Sequence, residues 1–360
     1  MRFARQVHGN QSIEKTTENA LRITQFYKVP VPVYVGAAKP MLRPAKHCAE
    51  IHGSTGLDSI DGSHGLPPCS DEFMADWETR YRRLKAVPEM FRAIRAEFEE
   101  RKTKVTIVAT GSLTNVALCI AVYGDDLREA VEGIVFMGGS VREGGNTGVQ
   151  TEFNMQVRAL TPTSPPPPSS SDSHSRYALR LFVRSFAIQT DPEAAQLVID
   201  SGIPVTMVPL DVTHTVICDD NVISKIRTVS GDGVNDDDDG VNDDDVNDVV
   251  NRTIDLLRFF QSTYDSVFGF AAPPLHDPVA VAYVSNPELF RTEALFVSIE
   301  THNPLSAGQT LVDVHRVTDN RPNVVVARSV DVDAFWDLLL GALKRVCRDR
   351  RDRRDRRLHG

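Results

Sequence analysis

The chain has 360 residues, 41% hydrophobic and 25% charged, with a formal net charge of −9. That length suits one large domain or two ordinary ones, and the composition excludes a fibrous or wholly disordered protein. The charge is uneven: residues 231–249 hold nine aspartates and no base, and residues 344–357 hold nine Lys or Arg against three Asp. Neither an acidic-ligand site nor a nucleic-acid groove follows from charge confined to two short runs.

No run reaches the eighteen or so apolar residues that span a bilayer, and the N-terminus MRFARQVHGNQ has no apolar stretch behind its basic residues. The five cysteines (Cys48, Cys69, Cys119, Cys218 and Cys347) lack C-x-x-C or Cys/His ligand spacing. A cytoplasmic protein with reduced thiols and no membrane partner is the expectation.

Taken in chain order, helical patterns are predicted over residues 12–27, 87–101, 114–123, 191–201, 250–268 and 332–346. Between them lie the strands VTIVAT (105–110), GIVFMG (133–138) and IPVTMVPL (203–210). These strands are nearly continuous in apolar character, as expected where helices cover both faces of a parallel sheet. The helix at 191 is the best punctuated, with Asp191 as N-cap, Pro192 behind it, Glu193 in the first turn and Gly202 past its end. Late in the chain ALFVSIE, TLVDVHRV and NVVVARSV read as edge strands or an accessory hairpin.

Three stretches are expected to lie outside the packed core. Residues 158–190 include TPTSPPPPSSSDSHS, where proline and serine deny the backbone regular hydrogen bonds. The acidic run 231–249 should self-repel and stay hydrated, and its spacing does not match an EF-hand. The tail CRDRRDRRDRRLHG (347–360) reads as a solvated extension.

The chemistry-bearing segments are HGN (8–10), IHGSTGLD (51–58), VATGSLTN (108–115), MGG (137–139), TEFN (151–154) and PLHDP (274–278). All but TEFN set Gly or Pro near a polar group in a loop, and VATGSLTN closes a strand at the sheet edge where open α/β folds keep ligands. His8, His64 and His174 read as solvated loop histidines without a role.

In this order the segments resemble the nucleoside hydrolase family, the inosine-uridine-preferring N-ribohydrolases. The likeness also takes in ENALRITQFYKVPVPVYVGAAKPMLR, DPEAAQLVIDSGIPVTMVPLDVTH and PLHDPVAVAYVSNPELF. It covers most of the chain outside the low-complexity stretches, and implies one Rossmann-like α/β domain over residues 1–346, with an open, mixed, mainly parallel sheet and helices on both faces. The implied reaction is hydrolysis of the N-glycosidic bond of purine or pyrimidine ribonucleosides in salvage, with one Ca²⁺ as cofactor and a small-molecule nucleoside as partner. Self-association into homo-oligomers is compatible with the family.

By resemblance, Asp277 and the main-chain carbonyl of Thr110 match metal ligands, and hard oxygen donors suit such an ion. Asn10, Asn146, Glu152 and Asn154 match ribose-binding positions, and Met137 packs near the sugar. His52 and His276 fall at the leaving-base end, with His276 the expected general acid and His52 a binding residue. His214 and Tyr264 lie near the same pocket and receive no role.

The resemblance also marks a departure. The family's Asp-x-Asp-x-x-x-Asp-Asp cluster, source of further metal carboxylates and the general base, follows no strand in this chain; the aspartates of the acidic run, where the same spacing falls at Asp237, Asp239, Asp243 and Asp244, lie on a polar, repetitive segment with no strand to fix them. Impaired activity is therefore the expectation, with a non-catalytic ribose-binding or interaction protein as the alternative. The 33-residue segment 158–190 separates two motifs that adjoin in the family, as a misjudged exon boundary or a disordered insertion would. Base preference is left open.

Overall fold

The computed structural model describes residues 4–143, 188, 190–229, 244–303 and 306–358. At the N-terminus Ala4–Arg5 (β1) pairs in parallel with Val33–Tyr34 (β2). Ile13–Phe26 (α1) crosses between them and buries Ile13, Ala20, Leu21 and Phe26. A loop-rich stretch follows, with the short helix Ala49–His52 (α2) and then Asp71–Arg80 (α3), which is capped by the Ser70 hydroxyl accepting from the Phe73 N–H.

The main sheet is then built by crossover. Ala86–Arg101 (α4) leads into Val105–Ala109 (β3), Thr114–Ala130 (α5) and Val131–Met137 (β4). Pro192–Ile199 (α6) feeds Val205–Val208 (β5), and a single helical turn, Leu210–Thr213 (α7), follows at once. Asp220–Thr228 (α8), Asp244–Phe268 (α9) and Asp277–Ser285 (α10) come next. The chain continues through Phe290–Leu295 (β6), Val297–Ile299 (β7), Thr310–Val312 (β8), Val324–Val330 (β9) and Val332–Leu358 (α11).

Strand order is β3-β4-β5-β9-β6, parallel throughout except for β6, which runs antiparallel against β9. Helices cover both faces of the sheet. On one, Ile134, Phe136, Met207 and Val326 pack with Leu113, Ala117 and Leu127 of the α5 region and Ala195 and Val198 of α6. On the other, Val135, Met137, Val208 and Ala327 pack with Ile223 of α8, Val250 and Ile254 of α9 and Phe335 and Trp336 of α11. The expected α/β fold with a mixed, mainly parallel sheet is observed.

Helix α5 consists of two helical segments that meet at a kink at Gly124 (φ 45°, ψ −118°), and the first ends at Tyr123 as expected. NVVVARSV is no edge segment: β9 sits between β5 and β6 within the main sheet, while β7 and β8 form the accessory pair.

The acidic run and the basic tail also differ from expectation. Helix α9 begins at Asp244, inside the run, and buries Val246 and Val249 fully. Helix α11 continues through the tail to Leu358, with Cys347 and Arg350 only 3% and 4% exposed. Val246 and Val249 in the one, and Cys347 and Arg350 in the other, stand three residues apart and so share a helix face that packs. Among the described residues no helix is long and apolar enough to cross a membrane.

Candidate active site

The carboxyl ends of β3, β4 and β5 open onto a cavity of about 240 Å³. Six of the residues expected at a site line it together: Asn10, His52, Thr110, Met137, His276 and Asp277. They arrive from separate elements. Thr110 follows β3, Met137 ends β4, His52 ends α2, and Asp277 opens α10 behind His276. Asn146, Glu152, Asn154 and His174 lie outside the described residues.

Local chemistry fixes each approach. His52 is held by the turn that follows it, where Gly53 has φ +75° and a Cβ would stand 2.3 Å from the Asp58 carboxylate. Only glycine fits there. That carboxylate accepts from the N–H groups of Ser54 (2.7 Å) and Thr55 (2.8 Å) and from both hydroxyls. Burial pushes the Asp58 carboxyl up, but these donors together outweigh it and hold the group below the usual carboxylate range.

Across the cavity, the 273–275 loop is tied to the segment after α7 by two main-chain bonds, Cys218 N–H to Pro273 O (3.0 Å) and Leu275 N–H to Val216 O (2.9 Å). These set His276 between two hydroxyls, with Nδ1 2.8 Å from Thr213 Oγ1 and Nε2 2.8 Å from the Tyr264 hydroxyl.

Desolvation dominates the electrostatics of this end. Burial drives the His276 imidazole down to about 3, helped by the nearby His214 and His52, and drives His52 down to about 4. Both are neutral at neutral pH, so His276 does not stand ready as an imidazolium. Burial also raises the Tyr264 phenol, keeping its proton on, and pushes Asp277 up to about 7. His52 and Asn10 both line the cavity.

The rest of the wall is apolar. Leu257, Phe260, Tyr264 and Phe268 of α9 contribute one stripe, with Phe260 edge-on to His52 at 5.4 Å. These side chains, Tyr264 among them, recur every three or four residues along one face of the helix, a spacing the sequence carries but the sequence-based expectations did not use. Thr213 and Asp211 gave no such signal. Asp211 accepts from three consecutive N–H groups, Val141 (2.7 Å), Arg142 (2.7 Å) and Glu143 (3.2 Å), and so clamps the loop beyond Met137.

Two histidines depart from expectation. His8 is fully buried, its Nε2 3.0 Å from Thr114 Oγ1, and the Thr114 hydroxyl donates to Asp191 at 2.6 Å. His64 is partly buried and bonded to the Asn19 carbonyl oxygen at 2.9 Å. In each case a folded-state partner replaces water.

A Ca²⁺ ion takes six to eight oxygen ligands. Here the cavity offers the Asp277 carboxylate, the Thr110 carbonyl and the Asn10 amide. Among the described residues no three His, Cys, Asp or Glu side chains gather as a metal cluster. These donors do not by themselves make a calcium site.

A family model described as inosine-uridine preferring nucleoside hydrolase matches residues 5–158 and 183–337. The chain belongs to the nucleoside hydrolase family. It is thus a member of a family of hydrolases that act on N-glycosyl bonds. A probable ribonucleoside hydrolase of Dictyostelium discoideum is 34% identical over 346 residues, covering 94% of this chain and 84% of the relative. A pyrimidine-specific ribonucleoside hydrolase of Shewanella sp. (strain MR-4) is 34% identical over 337 residues, covering 93% and 85%. Among solved structures, a purine-preferring ribonucleoside hydrolase from Gardnerella vaginalis superposes with a TM-score of 0.69 at 22% identity, covering 95% of this chain and 89% of that one. A plant nucleoside hydrolase superposes at 0.68 and 20% identity, covering 96% and 90%. These two likenesses concern the fold.

Proposed function

We propose that the cavity hydrolyses the N-glycosidic bond of ribonucleosides to ribose and free base. The observation that carries this reading is the convergence of Asn10, His52, Thr110, Met137, His276 and Asp277 on one cavity. The sugar would lie toward Asn10, Thr110, Met137 and Asp277, where oxygen and amide groups suit a polyol. The base would lie against Phe260, with His52, Tyr264 and His276 around its edge. Cleavage builds positive charge on the sugar and negative charge on the departing base. The uncharged imidazole and phenol at that end favour the second by hydrogen bonding in a water-poor pocket.

We infer slow turnover for the chain. With one carboxylate, one carbonyl and one amide among the described candidate donors, Ca²⁺ affinity falls toward the weak end of the protein range, about 10⁻³ M. Asp277 is the only carboxylate lining the described cavity, and a missing general base costs on the order of 10²- to 10⁴-fold in rate. Base selectivity is not assigned, since the relatives include both pyrimidine-specific and purine-preferring enzymes.

The test is product analysis on the purified chain with a panel of purine and pyrimidine ribonucleosides across micromolar to millimolar Ca²⁺. Slow release of free base and ribose, rising only at high calcium, is expected. Rapid turnover at micromolar calcium would remove the slow-turnover reading, and no release at any concentration would remove hydrolysis.

A further inference from the structure

Thr213 ends the one-turn helix α7 directly after β5 and is fully buried. Among the described residues its hydroxyl meets one partner, His276 Nδ1 at 2.8 Å. A hydroxyl is one donor and one acceptor, and a buried O–H without an acceptor is costly. If Nδ1 carried the imidazole proton, it would donate to Oγ1 and leave the Thr213 proton without an acceptor among the described residues. The satisfied arrangement is the reverse: Thr213 O–H donates to Nδ1, so the ring proton of the neutral imidazole sits on Nε2.

That choice propagates. Nε2–H then donates to the Tyr264 oxygen 2.8 Å away. The phenol oxygen is occupied as an acceptor, and its own O–H is left to point at a ligand in the cavity that Tyr264 lines. Tyr264 cannot swing elsewhere without losing its contacts with Phe268 and Phe270 at 5.1 and 6.2 Å.

We propose that Thr213 is a positioning residue that fixes the direction of a Thr213 → His276 → Tyr264 hydrogen-bond chain, so that the group offered to the leaving base is the Tyr264 hydroxyl acting as donor. Its expression in catalysis rests on the ribonucleoside reading above, while the chain's direction does not. The base recognised is one presenting an acceptor atom toward Tyr264. Direct donation to the ligand by His276 Nε2–H is not available while that hydrogen bond stands. Among the described residues the Thr213 hydroxyl sets the direction, because the other two members of the chain, His276 and Tyr264, can each donate or accept.

The experiment is ¹⁵N NMR of the purified full chain labelled at histidine, with the His276 resonance identified by its loss in His276→Gln. The wild type should show His276 protonated on Nε2, with Nδ1 shifted by an accepted hydrogen bond. Thr213→Val should shift the Nδ1 resonance toward that of an unbonded nitrogen, and Thr213→Ser should restore it. A wild-type His276 protonated on Nδ1, or a Thr213→Val spectrum unchanged at His276, overturns the proposal. Where the wild type turns nucleosides over, Thr213→Val should lower kcat by up to about 10²-fold with KM little changed; a change in KM alone also overturns it. Absence of wild-type turnover would count against the ribonucleoside reading and leave the NMR result to decide the direction of the chain.

Discussion

Arg350 reaches from the last turns of α11 to Asp245 at the start of α9, its Nη1 donating to the Asp245 carboxylate at 2.6 Å and to the Asp245 carbonyl at 3.2 Å. The guanidinium also lies 4.9 Å over the Phe26 ring at the end of α1. One side chain from the basic tail therefore binds one aspartate of the acidic run, and Lys28 meets the same aspartate at 2.8 Å.

Arg350→Ala should destabilise the protein by about 2 kcal/mol, below the ~3–5 kcal/mol of a fully buried pair because Asp245 is 40% exposed. Arg350→Met should lose less, since it keeps apolar contact with Phe26. Urea unfolding of the three proteins checks the order; equal stabilities would place the tail helix outside the cooperative unit.

Acid titration of stability should report the same aspartate. Burial raises the Asp245 carboxyl, but the Lys28 hydrogen bond and the Arg350 and Lys28 charges together bring it below its ordinary value. A depressed folded-state pKa means the stabilisation is present above the unfolded value of about 3.9 and lost as pH falls through the folded value. Wild type should exceed Asp245→Asn at pH 7, and the gap should close below about pH 4. A gap independent of pH would show that the charge contributes nothing.

Gly139 follows Met137 by two residues with φ +79°, and a Cβ there would stand 2.8 Å from both Met207 Sδ and Thr310 Cγ2. Gly139→Ala should cost about 1–3 kcal/mol, from left-handed backbone strain and overpacking. Thermal unfolding measures it. A neutral result would mean that the loop after β4 has room to shift.

Removing the hydroxyl of Tyr264 while keeping its ring isolates its donor role. Tyr264→Phe should fold with near wild-type stability, since Phe268 and Phe270 still pack against the ring. Turnover of ribonucleosides should fall about 10²-fold, mainly in kcat. Unchanged kcat would remove the hydroxyl from the reaction.

Asp211 should act at a distance from the reacting atoms. Asp211→Ala strips three N–H groups at 141–143 of their acceptor, and the loop should open to hydrogen exchange at those amides. Protection equal to wild type would show that the clamp is redundant.

Much of the fold was legible because its signals are local. The apolar continuity of 105–110 and 133–138 follows from burial on both sheet faces, and Asp191, Pro192 and Gly202 punctuate their helix by backbone chemistry that needs no tertiary partner. The motifs carrying Asn10, His52, Thr110, Met137, His276 and Asp277 were likewise readable, since each is a short run with its own turn. The acidic run and tail misled because charge density is a sequence property, whereas burial of Arg350 depends on Asp245 and Phe26 arriving from over a hundred residues away.

What the sequence determined by itself is the α/β alternation, the family, and the list of groups that could meet a nucleoside. Only the tertiary structure decided that Thr213 and Tyr264 flank the two nitrogens of His276, that desolvation keeps both cavity histidines neutral, and that Asp211 clamps the loop after β4. Those are relations between side chains on different elements. Distance and dielectric exist only once the chain has folded, so no spacing along it encodes them.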